Sequence, residues 1–525
     1  MLEFSDSSGY AHAPVGMLHE RQSSADACPR AASDPVAGTR RGARAVAVTL
    51  IASTAAMLWL LLATWRLDRV PGMSLDEAWS ILSARGQWPP HDPLSGMTSY
   101  AGPFPVLLLE LFGTEHGVAI LRGASVVCNA AALVLLGLLL RRLHPGRGHV
   151  LWALPMIASC PVWLVVLRTG IEVVMFTPLL VVLGLYLFGK KTRWAAFGAG
   201  LAWGLLVYNH LVGACFALAL ALAWRIAHRG WPALPWRLVL AGGALGLAPR
   251  LLALALYHDQ LIEGTAQGYS LLPALGDLRW VPICAWRTWH GDTVYLRYVG
   301  GLAHEPWPYG LLGVVFVLPW FGRWRQVPAT AWFTLLAAVL SAALVTLAAP
   351  YIAVRFSIVP IAGLTAFLAV LGAAAIERDA RWRAPIIGAA LAATGLNLYF
   401  CVSNFYVPWR DGKLALTTFW LGDRSKRTGN WAYFPKEGLV EELGKLEPAP
   451  EQVLTVPTLE RPLRVLLDGT PIRVKLPPNA DPALRSVYVD YRKPEALGPH
   501  CVEVPGGRFC FGAPAPVAEH YLLYR

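Results

Sequence analysis

The sequence predicts an α-helical polytopic membrane protein of about 11 transmembrane helices, followed by a small α+β or β-rich C-terminal external domain. Three observations predict it. Of 525 residues, 55% are hydrophobic and only 15% are charged, where soluble domains carry about a quarter charged residues. Apolar runs of roughly 20 residues recur, enough to cross the hydrocarbon core. Lys and Arg clusters fall between alternate runs, as the positive-inside rule requires. The net charge of +12 therefore comes from loop asymmetry, and nucleic acid is not an expected partner. The 22 Trp suit interfacial belts. Eight Cys without a Cys-x-x-Cys pair argue against a zinc site.

Taken in order, residues 1–43 are rich in Ala, Ser, Pro, Gly and Arg. With few large apolar side chains they read as a disordered cytoplasmic N-terminal tail without a signal peptide. The transmembrane domain covers 44–402. Spans are expected near 44–65, 118–140 and 149–167. A fourth follows, ending at Lys190, and then a hairpin around Tyr208-Asn209-His210. Others lie near 237–257, in a short stretch ending at Arg323, and near 330–349, 355–378 and 385–402. Segments assigned to the cytoplasm hold 17 Lys or Arg, and the longer external loops hold eight before residue 403. The segment 66–116 is an external loop. Its later part, Gly102 to Gly113, is too short to span and reads as an interfacial or re-entrant helix opened by proline and closed by glycine.

Residues 403–525 are Pro-rich and polar and form the external C-terminal domain. Strand-like runs occur at Gln452–Val456, Leu463–Leu467, Ser486–Tyr491 and Cys501–Phe511. The last reads as a hairpin. A Pro505-Gly506 loop sets Cys501 opposite Cys510, where an oxidising exterior would permit a disulfide. A Gly506-Gly507 loop, favoured by turn chemistry, does not.

The chemistry-bearing stretch is Ser74-Leu75-Asp76-Glu77-Ala78-Trp79, in the first external loop. Adjacent carboxylates at a membrane edge stay wet, pair with a cation or do chemistry. On a helix they point about 100° apart, so one can face a reaction centre while the other pairs. The structural alternative is Asp76 as the N-cap of an interfacial helix from Ala78 to Arg85. Arg168 and Glu172 have the i, i+4 spacing of an intrahelical pair, or they serve as a phosphate contact and a substrate or metal contact. Arg355, in Pro350-Tyr351-Ile-Ala-Val-Arg355, suits a lipid phosphate, because guanidinium binds two oxygens at once; snorkelling to headgroups is its structural alternative. Arg250 is an intramembrane arginine, and therefore a functional candidate or half of a buried pair. His210 and His258 stand at outer helix ends as acid–base candidates. Arg122 is read as an anchor of the second span. Asn129 and Asn397 are read as interhelical hydrogen-bond partners.

Four stretches together resemble the GT-C glycosyltransferase superfamily, in its branch of protein O-mannosyltransferases and lipid A aminoarabinose transferases. They are Asp76-Glu77 after the first span; Gly102-Pro-Phe-Pro-Val-Leu-Leu-Leu-Glu-Leu-Phe-Gly113; Ala119-Ile-Leu-Arg122-Gly-Ala-Ser125; and Arg168-Thr-Gly-Ile-Glu172 with Arg355-Phe-Ser-Ile-Val-Pro360. The resemblance spans about residues 45–400. Tyr100-Ala101-Gly102 stands where the family carries Lys or His, and Gly123-Ala124-Ser125 where it carries Leu-Pro-Ser.

The resemblance implies a sugar donor on a polyprenyl phosphate, undecaprenyl in a bacterial inner membrane, and transfer on the outer face to a lipid, glycan or protein acceptor. It implies Asp76 as the base with Glu77 beside it. Arg355 and then Arg168 are the phosphate candidates, with Glu172, Tyr351, His210 and Arg250 completing the substrate-binding set. No cofactor is expected, and no motif indicates a divalent metal. The rival class is a transporter or lipid flippase, for which paired repeats would be the signature; no convincing repeat appears. A degenerate GT-C scaffold is the third reading.

Overall fold

A computed structural model describes residues 54–65, 67, 73–87, 101–144, 148–164, 166–190, 192–231, 235–256, 307–348, 356, 358–401, 443–446, 448–455, 457–476, 479–490, 501–504 and 507–512. The N-terminal tail, the loop expected after residue 257, His258, Tyr351 and Arg355 lie outside them.

Among the described residues the helices run α1 (Thr54–Thr64), α2 (Leu75–Ala84), α3 (Phe104–Phe112), α4 (Gly117–Leu143), α5 (Ala153–Ser159), α6 (Pro161–Leu164), α7 (Glu172–Met175), α8 (Thr177–Phe188), α9 (Arg193–Asn209), α10 (Val212–Ala227), α11 (Trp236–Leu256), α12 (Trp307–Val317), α13 (Ala329–Ala348), α14 (Ile358–Arg378), α15 (Arg383–Cys401) and α16 (Pro457–Leu466). Four of them, α4, α11, α13 and α14, are long and apolar enough to cross a membrane. Their outward faces are apolar too: Val127 and Val134 on α4 and Leu240 and Leu256 on α11 are exposed. A helix apolar all round suits lipid, and the chain is an integral membrane protein.

The expected span 149–167 is not one helix. It breaks into a 3-10 turn (His149–Trp152), α5, α6 and a second 3-10 turn (Val166–Arg168). Cys160 takes an extended ψ of 135°, and Pro161 has no N–H to continue the ladder. Helix α3 fulfils the expectation of a short helix between proline and glycine, ending at Gly113 with φ +91°.

Two Gly-x-x-x-Gly patterns, Gly200-Leu-Ala-Trp-Gly204 and Gly242-Gly-Ala-Leu-Gly246, have a structural role. A Cβ at Gly200 would lie 1.9 Å from the Val239 carbonyl oxygen, and one at Gly242 would lie 2.1 Å from that of Phe197. These small residues let α9 and α11 approach backbone to backbone. Asn397 bridges to the Met156 carbonyl (3.4 Å) and Ser159 Oγ (3.3 Å), an interhelical contact as expected. Asn129 instead donates to Ser125, one turn earlier on its own helix, at 2.8 Å. Ser125 makes the interhelical bond, to the Leu167 carbonyl at 2.6 Å.

The C-terminal residues form a five-stranded sheet, β1 (Gln452–Thr455), β2 (Arg473–Lys475), β3 (Ser486–Asp490), β4 (Cys501–Val504) and β5 (Gly507–Gly512), in the order β2-β1-β3-β5-β4. Strand β1 is parallel to β2 and β3, and β5 is antiparallel to β3 and β4. The expected strand Leu463–Leu467 is helical, because α16 is the crossover that two parallel neighbours require. Leu463 and Leu467, one turn apart, are buried, and Arg464 pairs with Glu460 at 2.7 Å. In the hairpin, Cys501 pairs with Cys510 and Val504 with Gly507, the register that sets Cys501 opposite Cys510.

Candidate functional site

Helix α2 begins at the acidic stretch. Ser74 is its N-cap, and its Oγ accepts from the Glu77 N–H at 3.1 Å. Glu77 Oε2 in turn accepts from the Ser74 N–H at 2.7 Å. This reciprocal capping box satisfies two orphan donors at once. Asp76 is therefore not the cap, and the helix starts at Leu75 rather than Ala78.

Glu77 is fully buried, and its remaining acceptor positions are also used. Arg122 of α4 donates Nε to Oε1 at 2.7 Å and Nη2 to Oε2 at 2.9 Å. The Gly170 N–H donates to Oε1 at 2.7 Å. Arg122 Nη1 reaches the Leu67 carbonyl at 2.8 Å. Both side chains of this bidentate pair have zero exposure. Burial alone would raise the Glu77 pKa, but the Arg122 guanidinium and the backbone donors at Ser74 and Gly170 hold it below its ordinary value. Gly170 is required here, because a Cβ would lie 2.3 Å from Leu121 Cβ. Only a bare backbone comes close enough to α4 to deliver that N–H.

Asp76 precedes Glu77 by one residue, hence about 100° round the helix. Its side chain is half-buried, and its carbonyl accepts from Ser80 Oγ at 3.0 Å. The two carboxylates thus divide as their spacing allows: Glu77 faces inward and is saturated, and Asp76 occupies a neighbouring face.

Several buried polar side chains meet around the Tyr208-Asn209-His210 segment. Residue Ala101 forms an antiparallel bridge with His210, and the Gly102 N–H donates to the Asn209 carbonyl at 2.7 Å. Asn209 Nδ2 donates to the Glu172 carbonyl at 3.0 Å. His210 Nδ1 accepts from the Val212 N–H at 3.1 Å, which places the neutral imidazole's proton on Nε2. That atom lies 4.0 Å from Glu172 Oε1. The Phe356 ring sits 5.7 Å from the His210 ring, directly after Arg355 in the chain. Arg250 is buried, and its Nη2 donates to the Tyr208 carbonyl at 3.4 Å. Arg168 is buried and donates to the Trp65 carbonyl.

The structure thus brings Glu172 and His210 together and joins Glu77 to the Gly170 backbone. It does not place Arg168 and Glu172 on one helix. Arg168 closes a 3-10 turn and Glu172 opens α7, so their i, i+4 spacing has no helical meaning. Sequence reasoning read Arg122 only as an anchor and passed over Ser74, Gly170 and Asn209. The available signal was one charge of each sign near the membrane, a carboxylate at Glu77 and an arginine at Arg122, since each demands a partner. Among the described residues no group of three or more His, Cys, Asp or Glu is set to hold a metal ion. An apolar cavity of about 70 Å³, walled by Leu140, Trp163, Leu220, Phe333 and Ile358, is far smaller than the roughly 300 Å³ of a ligand pocket.

No family model matches the chain, and no curated protein matches it. Two solved structures are similar to it. One is the crystal structure of ArnT from Cupriavidus metallidurans bound to undecaprenyl phosphate, with a TM-score of 0.49 and 14% identity over 81% of this chain and 85% of that one. The other is ArnT from the same organism in the apo state, with a TM-score of 0.48 and 14% identity over 89% of this chain and 100% of that one.

Proposed function

We propose that the chain is a membrane glycosyltransferase that moves a sugar from a polyprenyl-phosphate donor to an acceptor on the outer face of the membrane, with Asp76 as the base. The observation that carries this reading is the division of labour in α2. Glu77 is bound by four donors in a structural role, and Asp76, on the neighbouring half-buried face of α2, is the carboxylate assigned to proton transfer. The burial of Arg168, Glu172, His210 and Arg250 supports it, because charged groups inside a membrane protein are costly and accompany function.

In this mechanism the acceptor hydroxyl oxygen attacks the anomeric carbon as Asp76 takes its proton. The bond from that carbon to the phosphate oxygen breaks, the configuration inverts, and polyprenyl phosphate leaves. Guanidinium groups meet the charge that grows on the phosphate, Arg355 first and Arg168 next. Glu172, Tyr351, His210 and Arg250 orient the donor. Glu77 positions the base and does not itself react. No metal ion enters this scheme.

The test is sugar transfer in membranes from a panel of radiolabelled polyprenyl-phosphate sugars, starting with undecaprenyl carriers, by wild type and Asp76→Asn at matched expression. Transfer by wild type that is lost in the folded variant is the expected result. Transfer that survives the substitution removes Asp76 as the base.

A further inference from the structure

The C-terminal module touches the helix that carries Asp76. The Arg461 guanidinium of α16 stacks 3.9 Å from the centre of the Trp79 ring. Asp468, just beyond α16, accepts from Arg85 Nη1 at 2.6 Å. Val465 packs on the apolar cluster of Ile81, Leu109, Leu121 and Met175. Arg85 also donates to the Thr114 carbonyl at 3.3 Å. The contacts run in the same order along both elements, 79 with 461 and 85 with 468, so α2 and α16 run in the same direction.

Two consequences follow from this register. Asp76 and Trp79 are three residues apart and share one face of α2, so Arg461 docks on the side that carries Asp76. Stepping back about 4.5 Å along each axis, three residues at 1.5 Å, leads from Trp79 to Asp76 and from Arg461 to Thr458. The first turn of α16 is thus level with Asp76. Glu77 and the buried Ala78 and Ile81 hold α2 along its inner face. A further hold on a different face restricts the roll of the helix about that seam.

We propose that the C-terminal module is a working part of the site. Arg461 on Trp79 and Asp468 on Arg85 are positioning contacts that set the roll of α2 and hence the direction of Asp76. The proposal rests on Asp76 being the base. It is tested by charge exchange in the full chain. Arg85→Asp and Asp468→Arg are each expected to lower kcat by about 10-fold to 100-fold, the scale of a 1 Å misplacement, with donor KM unchanged. The double exchange is expected to restore kcat. Arg461→Lys is expected to keep most activity and Arg461→Met to lose it.

Wild-type kcat in both single exchanges would overturn the proposal. A second measurement covers variants that fold poorly: Arg85→Cys with Asp468→Cys, bridged by a short bismaleimide, is expected to retain activity, and loss of activity on bridging overturns the docked arrangement as the active one. Asp76→Asn run alongside separates the two readings. Its survival sinks the base, whereas unaffected single exchanges beside an inactive Asp76→Asn sink the positioning role alone.

Discussion

The two ends of α2 are held in opposite ways. At its first turn, Glu77 and Arg122 meet with no exposure on either side chain, and the carboxylate has four donors. At its last, Arg85 and Asp468 meet with 19% and 43% exposure. The first contact is all-or-none, because removing one partner leaves a charge buried without compensation. The second is screened by water and salt. The difference teaches that the first loop is anchored from within the membrane domain and only adjusted from the C-terminal module.

The sharpest way to break this comparison is at the inner end. Arg122→Met is expected to destabilise the chain by about 3–5 kcal/mol, read as thermal unfolding in detergent. Glu77→Gln combined with Arg122→Met should recover much of that loss, because both charges are then gone. A smaller effect is expected from Gly170→Ala, where the added methyl meets Leu121 and overpacking costs about 1–3 kcal/mol; the same unfolding measurement shows it. At the outer end, Arg85→Ala should cost only about 0.2–1 kcal/mol, and a salt titration should reduce that cost further. Asp76→Asn should change stability least, within about 0.5 kcal/mol, while costing the most in transfer, about 10²–10⁴-fold.

Acid sharpens the same contrast. The folded pKa of Glu77 lies below its ordinary value. Its contribution to stability is therefore complete above the ordinary carboxylate range and is lost as pH falls through the lower, folded value. Unfolding followed from neutral pH downward should show that loss in wild type and not in the variant lacking both Glu77 and Arg122.

Much of the fold was legible. Helices α4, α11, α13 and α14 announce themselves by unbroken apolar length, and the hairpin at Tyr208-Asn209-His210 by its polar break. The pair Asp76-Glu77 stood out because carboxylates are rare beside a bilayer. The division between them was not legible, since it depends on Arg122 and Gly170, 45 and 93 residues away. The spacing of Arg168 and Glu172 misled because an i, i+4 reading presumes a helix, and the chain between them runs through Thr169-Gly170-Ile171 without one. Leu463–Leu467 misled because a short apolar run has no period long enough to tell strand from helix, and only the parallel pairing of β1 with β2 demands the crossover.

By itself the sequence determined that this is a helical membrane protein with an acidic pair after its first apolar run. That follows from transfer free energy and charge asymmetry, which are sums over local residues. Only the tertiary structure decided which carboxylate is sealed against Arg122, that Glu172 faces His210, and that α16 lies along α2. Those choices depend on backbones coming within hydrogen-bond reach across distant segments, and in the case of Gly170 on there being no side chain to prevent it.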